Sequence, residues 1–508
     1  MRVSLVLLFA YTLGFSLAVK EYLFRTCSQS GFCARNRHYA SQVSEDSDFL
    51  SPYSIDPNSV QIDNSNNIVH ATILKSVPSL TSPIGFSLEI SGIGKDSVRV
   101  KIDEDRSHVP AFEFINSRRY DETSKWSFAS KQVPKISDYS ISVVKNDYIE
   151  FKYGSSSNYV TRIFFTPFKV VLFKDGVVQL TANADNFMNI EHWRQKDDNE
   201  ANLLSQESSY DMFEDSFKDA SDGTVSLGPE SVAMDFEFSG YQHVYGIPEH
   251  ADSLDLKNTK GLISPYRLYN VDIFEYECDS KLPMYGAIPF LRSSRADASV
   301  GIFWVNSAET YIEIDKITSK KDTKAHWMSE NGVLDFVLFV GEKPNDIDYS
   351  YGLVTGYTAL PQLASLGYHQ CRWNYNSEED VLLVSRLFDE FRIPYDYIWL
   401  DVEYAESKKY FTWNKDMFPT PNNMMKELDH TGRGLIVIVD PHLKKDYFVS
   451  DYVTSHQITM NDRSNNTYYG HCWPGESVWI DTMNPSSQAY WDELFQLSTS
   501  NPLIGDAL

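Results

Sequence analysis

A fold in two parts, an antiparallel β-sandwich followed by a parallel α/β segment, is predicted by three features of this 508-residue sequence. Residues from about 61 to 350 break into short β-branched and aromatic runs separated by turn residues, the pattern of a many-stranded antiparallel fold. After about residue 351 the apolar runs become continuous and alternate with helical periodicity, which predicts strands buried on both faces of a parallel sheet. The length allows more than one domain, and 42% hydrophobic residues are enough to fill large cores.

Residues 1–18 read as a signal peptide. Arg2 supplies the charge, Val3 to Phe15 the apolar stretch, and Ser16-Leu17-Ala18 a small-x-small cleavage site. A spanning helix needs ~20 apolar residues, and no later run reaches that length, so the cleaved chain is expected in the secretory lumen without a membrane span. The terminal Gly505-Asp506-Ala507-Leu508 is no retention signal, so staying in the ER would require a retained partner. The net charge of -25, from 45 basic and 70 acidic residues, argues against nucleic acid and anionic membrane as partners. Within residues 19–60, Cys27 and Cys33 are close enough for a short-loop disulfide in an oxidising compartment. Cys278, Cys371 and Cys472 are scattered and lack metal-ligand spacing, so no metal site is expected. Asn465-Asn466-Thr467 is a glycosylation sequon that fits the same compartment.

The sandwich strands are expected in NIVHATILKS (67–76), FSLEISG (86–92), SVRVKIDED (97–105), ISVVKNDYIEFKY (141–153) and VGIFWVNSAETYIEI (300–314). FKVVLFKDGVVQLTA (168–182) reads as a hairpin turning at Asp175-Gly176. Residues 196–230 are acidic, Ser-rich and poor in β-branched residues, and are expected to form a mobile insertion.

The α/β part begins with a strand in LGYHQCRW (366–373). A helix follows from Ser377, which caps it toward Asp380, with Val381, Val384, Phe388 and Phe391 as its apolar stripe. YDYIWLD (395–401) is the second strand, NNMMKELDH (422–430) a helix ending near Gly432, and LIVIVD (435–440) the third strand. No Gly-rich phosphate loop follows the first strand, which argues against a dinucleotide-binding fold. A (β/α)8 barrel fits better, with chemistry at the C-terminal strand ends, where Arg372, Trp373, Asp401, Asp440 and His442 lie. A whole barrel takes about 250 residues, so only its first part, 351–497, is expected here. Asp401 and Glu403, two apart, would leave the same face of an extended chain, and paired carboxylates serve glycosidases. Their spacing alone does not separate a reacting carboxylate from one that binds hydroxyls.

Several stretches together resemble glycoside hydrolase family 31: HVYGIPEHA (243–251), SPYRLYNVDIFEYE (264–277), GYHQCRWNY (367–375), IWLDVEYAESKKYFTWNKDMFP (398–419), IVDPHLK (438–444) and HCWPG (471–475). FRTCSQSGFCARNR (24–37) points to the ER glucosidase II branch of that family. The resemblance implies a galactose-mutarotase-like sandwich followed by a TIM barrel. It also implies a retaining α-glucosidase that removes α-1,3-linked glucose from the N-glycans of glycoproteins in the ER lumen, without a cofactor. A β subunit would be its partner and supply retention. Retaining chemistry uses one carboxylate as nucleophile and a second as acid then base.

By the same resemblance, Asp401 matches the aspartate that hydrogen-bonds hydroxyls of the glucose being cleaved, so it is a clamp and not the nucleophile. Val402 and Ile438 match apolar walls of the glucose pocket, and Trp473 its tryptophan. Asp272 and Phe274 match a loop that the sandwich extends over the barrel mouth. Glu403 is expected to be structural. His442 is open between a structural and a ligand-contacting role, and His471 stands where an aromatic is usual. In WIDTMNP (479–485), Thr482 separates Asp481 from Met-Asn, unlike the nucleophile motif, so Asp481 is expected to be structural. Neither the nucleophile nor the acid/base of the family is found, the pattern is lost around Leu497, and residues 498–508 read as a non-family tail. The chain as written is therefore expected to be inactive. The alternative is a non-catalytic product that binds glycan or the β subunit.

Overall fold

The computed structural model describes residues 24–496, apart from 79, 106–118, 130–138, 145–146, 155–157, 193–228, 274–275 and 463. The expected signal peptide, all but the last two residues of the acidic insertion, Phe274 and the 498–508 tail lie outside these described residues. The chain divides into two compact units, Met1–Tyr357 and Thr358–Leu508.

In the first unit the described residues form two antiparallel sheets of nine and ten strands. One follows a meander through Ile68–Lys75, Ile84–Ile93 and Ser97–Glu104, then takes in Leu334–Gly341 and Ser299–Trp304. The other is centred on Val232–Phe238 and Asp322–Ser329. The hairpin Lys169–Lys174/Val177–Ala182 turns where Asp175 and Gly176 both take left-handed φ, 50° and 77°, the twist that suits a two-residue turn. The sheets pack face to face, as the rings of Phe236 and Phe336, one from each, meet edge-on at 5.3 Å. Between them Trp304 is fully buried with its indole N–H donated to Ser329 Oγ at 2.9 Å.

Three features differ from the sequence expectation. The run 300–314 is two strands in different sheets, Ser299–Trp304 and Thr310–Ile317, because the Asn306 side chain accepts the Ala308 amide at 2.8 Å and turns the chain between them. A helix, Gly31–Glu45, carries Cys33 in its first turn, joined by a disulfide to Cys27 just before it. It lies on the second sheet, with Asn36 on its buried face satisfied by Ser231 Oγ at 2.9 Å. Finally, the helix Pro344–Thr355 buries Ile347 and Val354 in the first unit and stacks Tyr351 on Phe290 at 4.2 Å. The division therefore comes after Tyr357 rather than near 351.

The second unit opens with a three-stranded parallel sheet, His369–Gln370, Tyr397–Leu400 and Gly434–Val437 in that order. Helices Glu378–Glu390 and Pro421–His430 follow the first two strands. Ser377 Oγ accepts the Asp380 amide at 3.1 Å, as an N-cap does. Val381, Met424 and Leu428 from the helices pack with Ile398 and Leu400 of the central strand. Phe391 is not in the stripe: it stands at the helix end and is 66% exposed. Nor are the strands buried on both faces, because the helices cover one face and three strands do not close on themselves. Trp399, on the opposite face, is 38% exposed. A second core lies around the antiparallel strands His442–Lys444, Gly475–Trp479 and Gly470–Cys472, with Leu443, Val449, Val453, Val478 and Leu494.

Candidate functional site

Asp401 directly follows the strand Tyr397–Leu400. The Ile438 amide donates to Leu400 C=O at 3.1 Å, carrying the parallel ladder one step past Gly434–Val437. Asp401, Ile438 and Asp440 thus gather at the C-terminal edge of the sheet, where parallel α/β folds bind ligands. The Asp401 carboxylate accepts the Val402 amide at 2.7 Å and caps a short 3-10 turn, Val402–Tyr404. That turn ends the extended geometry, so Asp401 and Glu403 do not leave one face of one strand as expected. Burial raises the Glu403 carboxyl above its ordinary range and the Asp401 charge adds to this, against its own amide, the Trp373 side chain and the Lys408 charge. One of its oxygens, Oε2, is buried with no hydrogen-bond partner among the described residues.

Beside this edge lies a polar and aromatic group. Tyr410 is buried and donates its hydroxyl to Asp440 Oδ2 at 2.6 Å. Burial and that bond push the phenol far above its ordinary range, which keeps it a donor. Tyr404 donates to the Ile438 carbonyl at 2.8 Å and ties the strand end in place. Burial lowers the pKa of His442 despite the nearby Asp440 charge, so its ring is neutral at neutral pH. His442 and Tyr410 both meet Trp473 at steep angles, at 5.0 and 6.1 Å between ring centroids. Trp473 occupies, with Pro474, the two-residue turn between Gly470–Cys472 and Gly475–Trp479, where Cys472 pairs with Gly475. The ring is held by its neighbours and still 45% exposed, which suits an indole that stacks on an apolar sugar face.

The other expected residues fall as follows. Val402 is only 3% exposed and packs with Tyr410, Phe411 and Leu443, so it backs the edge as core instead of forming an open wall. Asp272, in the first unit, is exposed and accepts the Tyr285 hydroxyl at 3.0 Å. The Asp481 carboxylate accepts the Met483 amide at 3.0 Å, and Asn484 caps the helix Pro485–Leu494, so this stretch is built as a turn into a helix. His471 is exposed on its strand. Asn465 sits exposed in a turn, at φ 63°. Among the described residues no group of three or more His, Cys, Asp and Glu could hold a metal ion, and no helix is long and apolar enough to cross a membrane. Sequence reasoning passed over Tyr410 and Lys408, although both lie within the quoted 398–419 stretch.

A face-to-face sandwich followed by parallel strands, with a carboxylate and a half-open indole beside their C-terminal edge, places this chain among β-sandwich proteins that carry an α/β ligand-binding part. Residues 87–313 match the glycosyl hydrolase 31 N-terminal galactose mutarotase-like domain, and residues 358–505 the glycosyl hydrolases family 31 TIM-barrel domain. The chain belongs to glycoside hydrolase family 31. The second match passes Leu497, where the pattern was expected to be lost. The glucosidase 2 subunit alpha of Saccharomyces cerevisiae is 42% identical over 514 residues, taking in 95% of this chain and 53% of that protein. A crystal structure of a glucosidase II alpha subunit with DNJ bound superposes with a TM-score of 0.84 at 39% identity, over 94% of this chain and 53% of that one. A glucosidase II heterodimer of catalytic subunit and regulatory-subunit binding domain matches at 0.83 and 39%, over 93% and 53%. The chain spans about half the length of these relatives.

Proposed function

We propose that this protein serves a retaining α-glucosidase of the ER glucosidase II alpha type, which hydrolyses α-1,3-linked glucose from N-glycans in the ER lumen with a regulatory β subunit as partner. The observation that carries this is the meeting of Asp401, Ile438 and Asp440 at one strand edge, with Tyr410 linking Asp440 to Trp473. In this reading Asp401 holds glucose hydroxyls and Trp473 stacks on the ring, with Ile438 beside them. By the family resemblance, Asp272 and Phe274 are also read as substrate-contacting residues. Neither Asp401 nor Asp481 is the nucleophile, and the 508 residues by themselves bind sugar without cleaving it. Calorimetric titration of the chain with glucosyl-α-1,3-glucose, alongside a glucose-release assay, tests this. Weak binding lost in Asp401→Asn and Trp473→Ala, with no release, is expected. Release abolished by Asp481→Asn, or binding unchanged in Asp401→Asn, would overturn it.

A further inference from the structure

Of Lys408, Lys409, Lys444 and Lys445, three are committed to protein partners. Lys409 Nζ donates to the Asp446 carbonyl at 3.1 Å, Lys444 Nζ to the Ser407 carbonyl at 2.8 Å, and Lys445 Nζ to Glu476 at 3.1 Å. The fourth, Lys408, has an ammonium group with no hydrogen bond among the described residues, and it lies over the Trp473 ring, 5.7 Å from the centroid. Its charge also reaches Glu403.

The backbone that carries Lys408 is not relaxed. Ser407 and Lys408 take left-handed φ of 49° and 63°, a conformation that residues with side chains seldom adopt. The strap is nonetheless fastened on both sides. Lys444 holds the Ser407 carbonyl, Thr412 Oγ1 accepts the Glu406 amide at 3.0 Å, and the Thr412 hydroxyl donates to the Lys409 carbonyl. A cation over an exposed ring gains little, so that contact alone does not account for a strained and fastened strap. Strain kept in place by surrounding bonds is more often the mark of a side chain aimed at a ligand.

We propose that Lys408 is a further ligand-contacting residue of the Trp473 subsite, whose ammonium donates a hydrogen bond to a hydroxyl of the neutral sugar ring that stacks on the indole. This rests on the reading of Trp473 as the sugar-stacking residue. The strap pre-sets the lysine above the ring, so little side-chain freedom is lost when the sugar enters.

The test is titration of the full 508-residue chain and three variants with glucosyl-α-1,3-glucose, followed by calorimetry and tryptophan fluorescence. Lys408→Met keeps the apolar stem and removes the donor. A charged hydrogen bond of ordinary strength predicts about tenfold weaker binding. Lys408→Arg restores a donor and is expected to bind within about threefold of the parent. Trp473→Ala is expected to abolish binding. If Trp473→Ala loses binding while Lys408→Met binds as well as the parent or better, the lysine does not contact the sugar, and the proposal fails with the subsite intact. If the parent shows no binding, or Trp473→Ala binds normally, the subsite reading fails and the proposal falls with it.

Discussion

The first unit covers its sheets with each other, whereas the second leaves its sheet half-clothed. In the sandwich, Trp304, Trp327, Phe236 and Phe336 have no exposed surface, and several charged groups enter it as bonded pairs. Glu191, for example, is buried between the Arg35 guanidinium and the Ser231 amide and hydroxyl. In the second unit two separate cores form, and Trp373, Trp399 and Trp473 remain substantially exposed. A closely packed interior offers a ligand no accessible surface. Incomplete cover is what leaves Asp401, Glu403 and an indole face accessible at one edge. In the proposed reading, the closed packing of the first unit serves stability, and the partly covered edge of the second carries Asp401 and Trp473.

The largest test of that contrast is Glu191→Ala. It removes the buried carboxylate that the half-buried Arg35 bonds and should cost about 3–5 kcal/mol in urea unfolding. Burial raises the Glu191 carboxyl, but the Arg35 charge and the bonds from Arg35 and Ser231 outweigh it and hold it below the ordinary range. Its stabilisation is therefore present above the unfolded carboxylate range and lost as pH falls through the folded value. Asp235 behaves oppositely. Burial, with the Asp185 charge adding, raises it to about 6 against the amides of Asp185 and Phe187. Its contribution, up to about 3 kcal/mol, is fully present below about pH 4 and disappears as pH rises through about 6. Carboxyl-carbon NMR should find its titration midpoint near 6, and a midpoint near 4 would mean that the sandwich interior is wetter than described. Replacing both Cys27 and Cys33 by Ser should cost about 2 kcal/mol, since the closed loop is short. Smallest, Ser377→Ala removes the cap of helix Glu378–Glu390 and should cost about 1 kcal/mol in the second unit. If Glu191→Ala costs no more than Ser377→Ala, the proposed division between the units collapses.

Local signals made some elements legible in the sequence. Asp175-Gly176 specifies its hairpin by backbone twist, and Ser377 marks its helix start by a bond three residues away. The helix Gly31–Glu45 was not legible because its buried face includes Asn36, whose partner Ser231 is remote in sequence. Run 300–314 is β-rich at both ends, and only the face-to-face sheets reveal that its two halves serve different ones. At the site, Asp401 and Trp473 stood out through motif and strand-end position. Tyr410 and Lys408 did not, because their significance comes from Asp440 and Trp473, which only folding brings near.

The ion pairs of the N-terminal helix region set an order of events. Arg25 pairs with Glu309 and Arg37 with Glu313, across 284 and 276 residues of sequence. On a ribosome adding about 5–20 residues per second, the partners of this segment emerge roughly 15–60 s after it does. Throughout that interval Cys27 and Cys33 are without Tyr311 and Met328, which later help to bury them, so the segment waits through most of translation before the sandwich can cover it.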